Sequence, residues 1–384
     1  MGSLDGPAMQ VTLPLEGPFG AGGLARPSPD EARLWPAEAI GPAAYAMRVA
    51  ACRPGAPLRV GVIVNPRARA VREAGPALVA AVAQACGGLA HETSDLGSLR
   101  AALGRLVARE GVNVLATLGG DGTLHAAVNE LLALTRATGE ACGAPPPLPR
   151  LLVLRGGTLN IVGRTLGTSG PAARTLGRLA RAYRGAPLAA LPSRPLPLLR
   201  VESGAFGRRF GFVFGSEMVR HALELYDEFG GGHGGLSRLL FEAFRGYALE
   251  TERWRRERWR LEPPEGPLVV AHAGGRAELA RYAAAVASTV DLAIAGGALR
   301  ALGPPEGAHA FSVRVITETR AGALVKMAPG LMLGRPLAGT LDVAAATAMR
   351  LEGSFTLDGE VFPRAAKGAA VSVEIAPPLE AALP

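Results

Sequence analysis

The stretch TLGGDGTLHAAVNELL, residues 117–132, sets an aspartate among glycines where an apolar run gives way to an amphipathic one. The preceding NVLATL (113–118) reads as a buried strand. LHAAVNELLALTR places Leu124, Val128, Leu131 and Leu132 on one face of a helix. Gly119, Gly120 and Gly122 then fall in the strand–helix turn, where glycine permits close backbone approach and positive φ, and Thr123 is placed to cap the helix. A helix amino terminus beside such a turn binds anions through its free N–H groups. The usual phosphate loop needs Gly-Lys-Ser/Thr, yet neither lysine of the chain, Lys326 or Lys367, lies near a glycine-rich turn. No Gly-x-Gly-x-x-Gly fingerprint stands there either. Asp121 is therefore the informative residue. A carboxylate beside phosphates is repulsive unless a cation such as Mg²⁺ lies between them, or unless it contacts a hydroxyl. The competing reading is a plain Asp-Gly turn.

Outward from this stretch, LRVGVIV (58–64) is another buried strand, ended by Asn65-Pro66, and LLVL (151–154) is a third. PALVAAVAQAC and SLRAALGRLVARE have helical spacing, so residues 58–190 read as parallel βαβ units. After the proline-rich APLAALPSRPLPLLR (186–200), strand-like segments with Gly or Pro turns dominate, interrupted by one helix over 236–249. MRLEGSFTLDGEVF (349–362) reads as one long alternating strand, with Met349, Leu351, Phe355 and Leu357 on one face. Residues 1–57 read as a Gly/Pro/Ala-rich extension of limited order, with a short helix near 36–51. The division is thus 1–57, an α/β domain over 58–190, and a β-rich domain over 191–384 whose final segment is free to pack back on the first.

The 384 residues are 48% apolar, enough for more than one core, and the net charge is +8. Of the 41 basic residues 39 are arginine, but no recognition helix or aromatic platform accompanies them. No nucleic-acid partner is expected; an anionic membrane surface or anionic substrate fits the charge. Cys52, Cys86 and Cys142 suit neither a disulfide framework nor a zinc site, which fits a reducing cytoplasm. The amino terminus lacks a secretory pattern, and the most apolar stretch, 279–302, is broken by Arg281 and Asp291. A soluble or peripheral protein is expected.

GGDGT at 119–123 resembles the signature of the diacylglycerol kinase catalytic-domain family, which includes bacterial lipid kinases and sphingosine kinases and shares this motif with NAD kinases. VNPRA (64–68), RGGTLNIVGRTLG (155–167) and TLDGE (356–360) resemble further motifs of the family, in the family's order. The resemblance implies an α/β domain with a parallel sheet, like those of NAD and diacylglycerol kinases, followed by a β-rich, sandwich-like domain. It implies that ATP is held by Asn65, Pro66, Gly119, Gly120, Gly122, Thr123, Gly157, Thr158 and Asn160. Asp121 would work through Mg²⁺ or its waters, Asp358 would be the general base on a lipid hydroxyl, and Glu360 would support metal or nucleotide. Glu217 falls where the family uses an acidic residue, usually Asp, to recognise the acceptor.

Read on their own, several of these residues keep a plainer meaning. Asn65-Pro66 is a common turn initiator, Asp358-Gly359 is equally a hairpin turn, and Glu217 is equally a solvated glutamate. His125 is within reach of a phosphate, though packing or a supporting role is the commoner use. RWRRERWR (253–260) suits either an anionic interface or a solvated charged face. The chain departs from the family pattern at Ile161, where Asp is common, and at Pro305-Glu306-Gly307, where Asp-Asp-Gly is usual; both weaken a structural Mg²⁺ site. The resulting expectation is an ATP- and Mg²⁺-dependent kinase of a diacylglycerol-like or sphingoid lipid, cytoplasmic and peripheral on the inner membrane face. A homodimer is left open. An NAD kinase and a catalytically silent lipid- or nucleotide-binding protein are the alternatives.

Overall fold

A computed structural model describes residues 34–157, 160–228, 232–261, 266–294, 299–335, 337–363 and 369–383. The first half contains α1 (Ala37–Ile40), α2 (Pro42–Ala51), β1 (Val60–Val64), α3 (Arg69–Ala74), α4 (Pro76–Ala85), β2 (Ala90–Glu92) and α5 (Leu96–Leu103). After a π-helical turn, Gly104–Arg109, follow β3 (Val114–Gly119), α6 (Asp121–Cys142), β4 (Arg150–Arg155), α7 (Ile161–Thr165) and α8 (Ala172–Ala182). β2, β1, β3 and β4 pair in parallel, with Val62 opposite both Ala90 and Ala116, and Leu115 opposite Leu151. Helices cover both faces, which is why β1, β3 and β4 read as largely apolar runs. Ile63, Leu115 and Leu151 pack with Leu124, Val128 and Leu131 of α6; Val62, Leu118 and Leu152 pack on the opposite face with Val82 of α4 and Leu176 and Leu179 of α8. Each such side chain contributes about 1.5–3 kcal/mol by leaving water.

The second half is built from β5 (Ser193–Ser203), β6 (Gly207–Gly211), β7 (Val213–Ser216), α9 (Glu217–Glu228), α10 (Gly232–Leu249) and α11 (Glu252–Glu257). Then come β8 (Leu268–His272), β9 (Gly275–Leu279), β10 (Ala284–Ser288), β11 (Leu292–Ile294), β12 (Leu299–Leu302), β13 (Phe311–Ile316) and α12 (Ala321–Met332). β14 (Thr340–Glu352), β15 (Phe355–Leu357), β16 (Glu360–Phe362) and β17 (Ala370–Ala382) close the chain. Pairing here is antiparallel in the order β16-β15-β7-β10-β13-β14-β17, around a core that includes Phe214, Tyr282, Phe311, Met349 and Phe355. β17 then joins β4 in parallel at Ala381 and Leu151, so the two halves share one mixed sheet among the described residues. The architecture is a parallel α/β region followed by a β-rich antiparallel region.

The structure differs from the sequence reading at several elements. The expected helix near 36–51 is two helices broken at Gly41, whose φ of −78° and ψ of 178° are extended. Trp35, Ala39 and Ala44 are buried in the core of the α/β half, so the compositional break at Leu58 is not a packing boundary. Residues 1–33 lie outside the described residues. The single strand expected over 349–362 is three: β14 ends at Glu352, Gly353 takes φ 119°, and β15 and β16 form a hairpin. Met349, Leu351, Phe355 and Leu357 are nevertheless all buried in one core, because the break turns the chain without changing which side faces inward. The helical insert begins at Gly232 rather than 236, and RWRRERWR is helical, with Thr251 accepting from the Trp254 N–H at its start.

Candidate active site

The parallel strands β1, β3 and β4 all end at one edge of the sheet, and their following turns meet there. That edge is where ligands bind in open α/β folds. Asn65 leaves β1 and donates from Nδ2 to Thr123 Oγ1 at 2.9 Å, while its Oδ1 accepts the Arg67 N–H at 2.9 Å. Thr123 is thus the anchor for Asn65 and not the helix cap; α6 begins two residues earlier, at Asp121, and its N-cap Gly120 is extended. Gly119, Gly120 and Gly122 do not take the positive φ that their turn suggested. Close contact is the constraint at Gly119, where a Cβ would run into Thr123, and in the turn that faces it. A Cβ on Gly157 would run into Gly120 Cα, and one on Gly156 would stand 2.9 Å from Gly119 N.

Asn160 sits at φ 48° and uses its whole side chain on the neighbouring turn. Its Oδ1 accepts from the N–H groups of Gly156 and Gly157 at 3.2 and 2.9 Å, and its Nδ2 donates to Gly157 O at 2.5 Å. It shapes the turn that faces GGDGT, leaving Gly157 on the cleft wall. Thr158 lies outside the described residues. Asp121 reaches across between the two turns: Oδ2 accepts the Ile161 N–H at 3.2 Å and Oδ1 the Val162 N–H at 3.4 Å. Burial pushes this carboxyl above its usual range; the Ile161 N–H opposes the shift, the Asp358 charge adds to it, and Val162 and Arg164 oppose it.

The second half closes the site. Asp358 occupies a left-handed turn at φ 53° between β15 and β16. Its N–H donates to Val213 O at 2.8 Å, and its Oδ1 accepts the N–H groups of Phe212 and Val213, both at 2.9 Å. Its Oδ2 lies 3.0 Å from His125 Nδ1 on α6, a contact between residues 233 apart in sequence. Glu360, at the start of β16, projects toward the GGDGT turn: a Cβ on Gly122 would stand 3.6 Å from its Oε1. Glu217 opens α9 directly after β7, the strand that pairs with β15; its side chain lies outside what is described.

Beside the α6 amino terminus is a cleft of about 430 Å³, whose walls include Asn65, Gly120, Gly122, Thr123 and Gly157 and, from the second half, Glu360. Pro66 turns the chain behind Asn65 and does not line it. Arg67, inside VNPRA, and Thr93, Ser94 and Asp95, just after the short edge strand β2, also line it; the sequence reading missed the last three because the turn after β2 carries no motif. A second cavity, about 490 Å³, lies among α9, α10, α11 and α12, lined by Met218, Leu225, Phe244, Trp254, Leu324 and Val325 among others. Beside it Phe241, Phe244 and Leu249 of α10 are exposed, at 63%, 58% and 68%.

Among the described residues no three candidate ligand side chains cluster, and both Asp121 oxygens already accept backbone N–H groups. The donor set suits a hydrated ion that arrives with phosphates. No helix among the described residues is long and apolar enough to cross a membrane.

Residues 59–186 match the family model described as diacylglycerol kinase catalytic domain. No curated protein matches the sequence. A crystal structure described as a diacylglycerol kinase from Bacillus anthracis str. Sterne aligns with 85% of this chain and 97% of its own, at TM-score 0.52 and 15% identity. Two more from that organism, provisionally described as diacylglycerol kinases, align with the same coverage at TM-score 0.54, with 16% and 17% identity. At such identity the likeness is one of fold. Residues 59–186 thus match the model of the diacylglycerol kinase catalytic domain, and over 85% of its length the chain carries the fold of these bacterial structures.

Proposed function

We propose that the protein transfers the γ-phosphate of ATP to the hydroxyl of a diacylglycerol-like or sphingoid lipid. The observation that carries this reading is Asp358: a carboxylate from the far end of the chain, fixed by two backbone N–H groups and set against the helix that follows GGDGT. ATP phosphates fit the cleft beside the α6 amino terminus, where the helix dipole and Arg67 favour negative charge. Asn65, Gly120, Gly122, Thr123 and Gly157 line the approach, and Glu360 faces the GGDGT turn from the other half. Mg²⁺, held through water at Asp121, supplies charge compensation on the phosphates when bound.

Asp358 Oδ1 has both lone pairs committed to N–H donors, so Oδ2 is the atom that takes the acceptor's proton. The lipid oxygen bonds to the γ-phosphorus, the bond from that phosphorus to the bridging oxygen breaks, and ADP leaves with the electron pair. The helix-lined cavity suits the hydrocarbon of the acceptor, being largely apolar and open beside exposed Phe241 and Phe244. Those side chains, with exposed Trp259 and Arg256, also suit docking at an anionic cytoplasmic membrane face.

The test is label transfer from γ-labelled Mg-ATP to diacylglycerol, ceramide and sphingoid bases in mixed micelles, with NAD as a separate acceptor. Labelled lipid that disappears with Asp358→Asn while nucleotide binding persists is the expected result. Label in NAD would make the protein an NAD kinase. Bound ATP with no transfer to any acceptor would favour a silent binding protein.

A further inference from the structure

His125 and Asn129 stand one turn apart on α6, and neither belongs to the motifs that suggest a kinase. Asn129 joins this helix to β6: Nδ2 donates to His125 O at 2.9 Å and to Phe210 O at 2.7 Å, while Oδ1 accepts the Phe210 N–H at 2.9 Å. The side chain thus pairs with Phe210 as a neighbouring strand would, and fixes α6 against β6. That attachment presents the His125 ring to Asp358. Their side chains are 7% and 2% exposed, so bulk water does little to set their geometry. Gly211 clears the space beside them, since a Cβ there would stand 2.5 Å from Asp358 Oδ2.

An ionised carboxylate buried this far needs hydrogen-bond donors for its lone pairs. Oδ1 has two backbone donors, whereas the donor facing Oδ2 is the His125 ring. A carboxylate oxygen only accepts, so the ring proton sits on Nδ1. Nε2 is left near Asn129 Nδ2 at 3.4 Å, but that amide already donates to two carbonyls at shorter range.

We infer that His125 is a positioning residue for phosphoryl transfer: its Nδ1–H holds Oδ2 of Asp358 at a fixed angle and leaves that oxygen's second lone pair for the acceptor hydroxyl. The role rests on the kinase reading above. With Oδ1 held by two backbone N–H groups, the Nδ1–H removes the tilt that Oδ2 retains about that anchor, and alignment is a large share of what such enzymes contribute.

Two measurements on the full chain test it. The first is ¹⁵N NMR of labelled histidine, which reports the tautomer without requiring turnover. The Nδ1–H form is expected for His125 in the wild type and should be lost in Asp358→Asn; an Nε2–H form in the wild type overturns the inference. The second is steady-state kinetics with Mg-ATP and a diacylglycerol or a sphingoid base in mixed micelles. His125→Ala should lower kcat about 100-fold with the KM for ATP unchanged. His125→Asn, whose amide nitrogen occupies the place of Nδ1, should stay within about fivefold of wild type. Full kcat in His125→Ala, or an Asn variant no better than Ala, overturns the role. A wild type that labels neither lipid removes the kinase reading and this role with it, while the tautomer still decides whether the contact exists.

Discussion

Asp121 accepts two backbone N–H groups from the start of α7 while the Asp358 carboxylate adds a like charge nearby. Folding raises its carboxyl above the reference value of 3.8, with burial the largest cause. The ionised group is therefore less favoured in the folded chain than in the unfolded one. Its contribution to stability is full below the unfolded value and is lost as pH rises through the folded one. Asp121→Asn should then melt at or above the wild-type temperature at pH 7, with the difference closing toward about pH 4, and phosphoryl transfer should fall by at least about 100-fold. Thermal melts at the two pH values, beside the transfer assay, check both parts; a lower melting temperature at pH 7 would mean that holding α7 outweighs the cost of the buried charge. The placement of Asp121 in a strand–helix turn was legible from five residues. Its use as a bridge to Ile161 and Val162 was not, because the partners are backbone groups that no side-chain pattern marks.

Strands β1, β3 and β4 were legible for a physical reason: buried on both faces, they are almost wholly apolar between their turns, with Thr117 the buried exception. The break between β14 and β15 was harder to read, since Gly353-Ser354 interrupts a pattern whose alternation continues on either side. The helical layer was legible only in α10. α9 and α11 mix apolar and charged residues, and reveal their inner faces only when α12 arrives from far along the chain. Their shared cavity makes a prediction that belongs to these elements. Ala328 of α12 lines it, and Ala328→Trp would fill much of the space at a packing cost of about 1–3 kcal/mol. kcat/KM for the lipid should drop about tenfold or more, more steeply for long acyl chains than short ones, with the KM for ATP unmoved. Equal kinetics across chain lengths would place the hydrocarbon elsewhere.

At the scale of the whole molecule, β17 decides whether the halves are one folding unit. It pairs with β5 along Val371–Ala382 and with β14 over Ala370–Glu374, then reaches β4 of the parallel sheet through Ala381. Leu379 and Ala381 are buried in the same core as Leu115 and Leu151, so apolar surface from the chain's last residues lies inside its first half. The contact between His125 and Asp358 depends on the same closure. Neither link is visible in a local window of sequence, because both join residues more than 200 positions apart. If β17 binds the halves into one cooperative unit, denaturant unfolding should give a single transition. Trp35 reports the first half, and Trp254 and Trp259 report the helical layer; single-tryptophan variants should therefore unfold at one midpoint. Leu379→Ala should destabilise both reporters together by about 2–5 kcal/mol, the usual cost of a leucine-sized core cavity. Two separated midpoints, with only Trp35 shifted by Leu379→Ala, would show halves that fold independently and meet only to form the cleft.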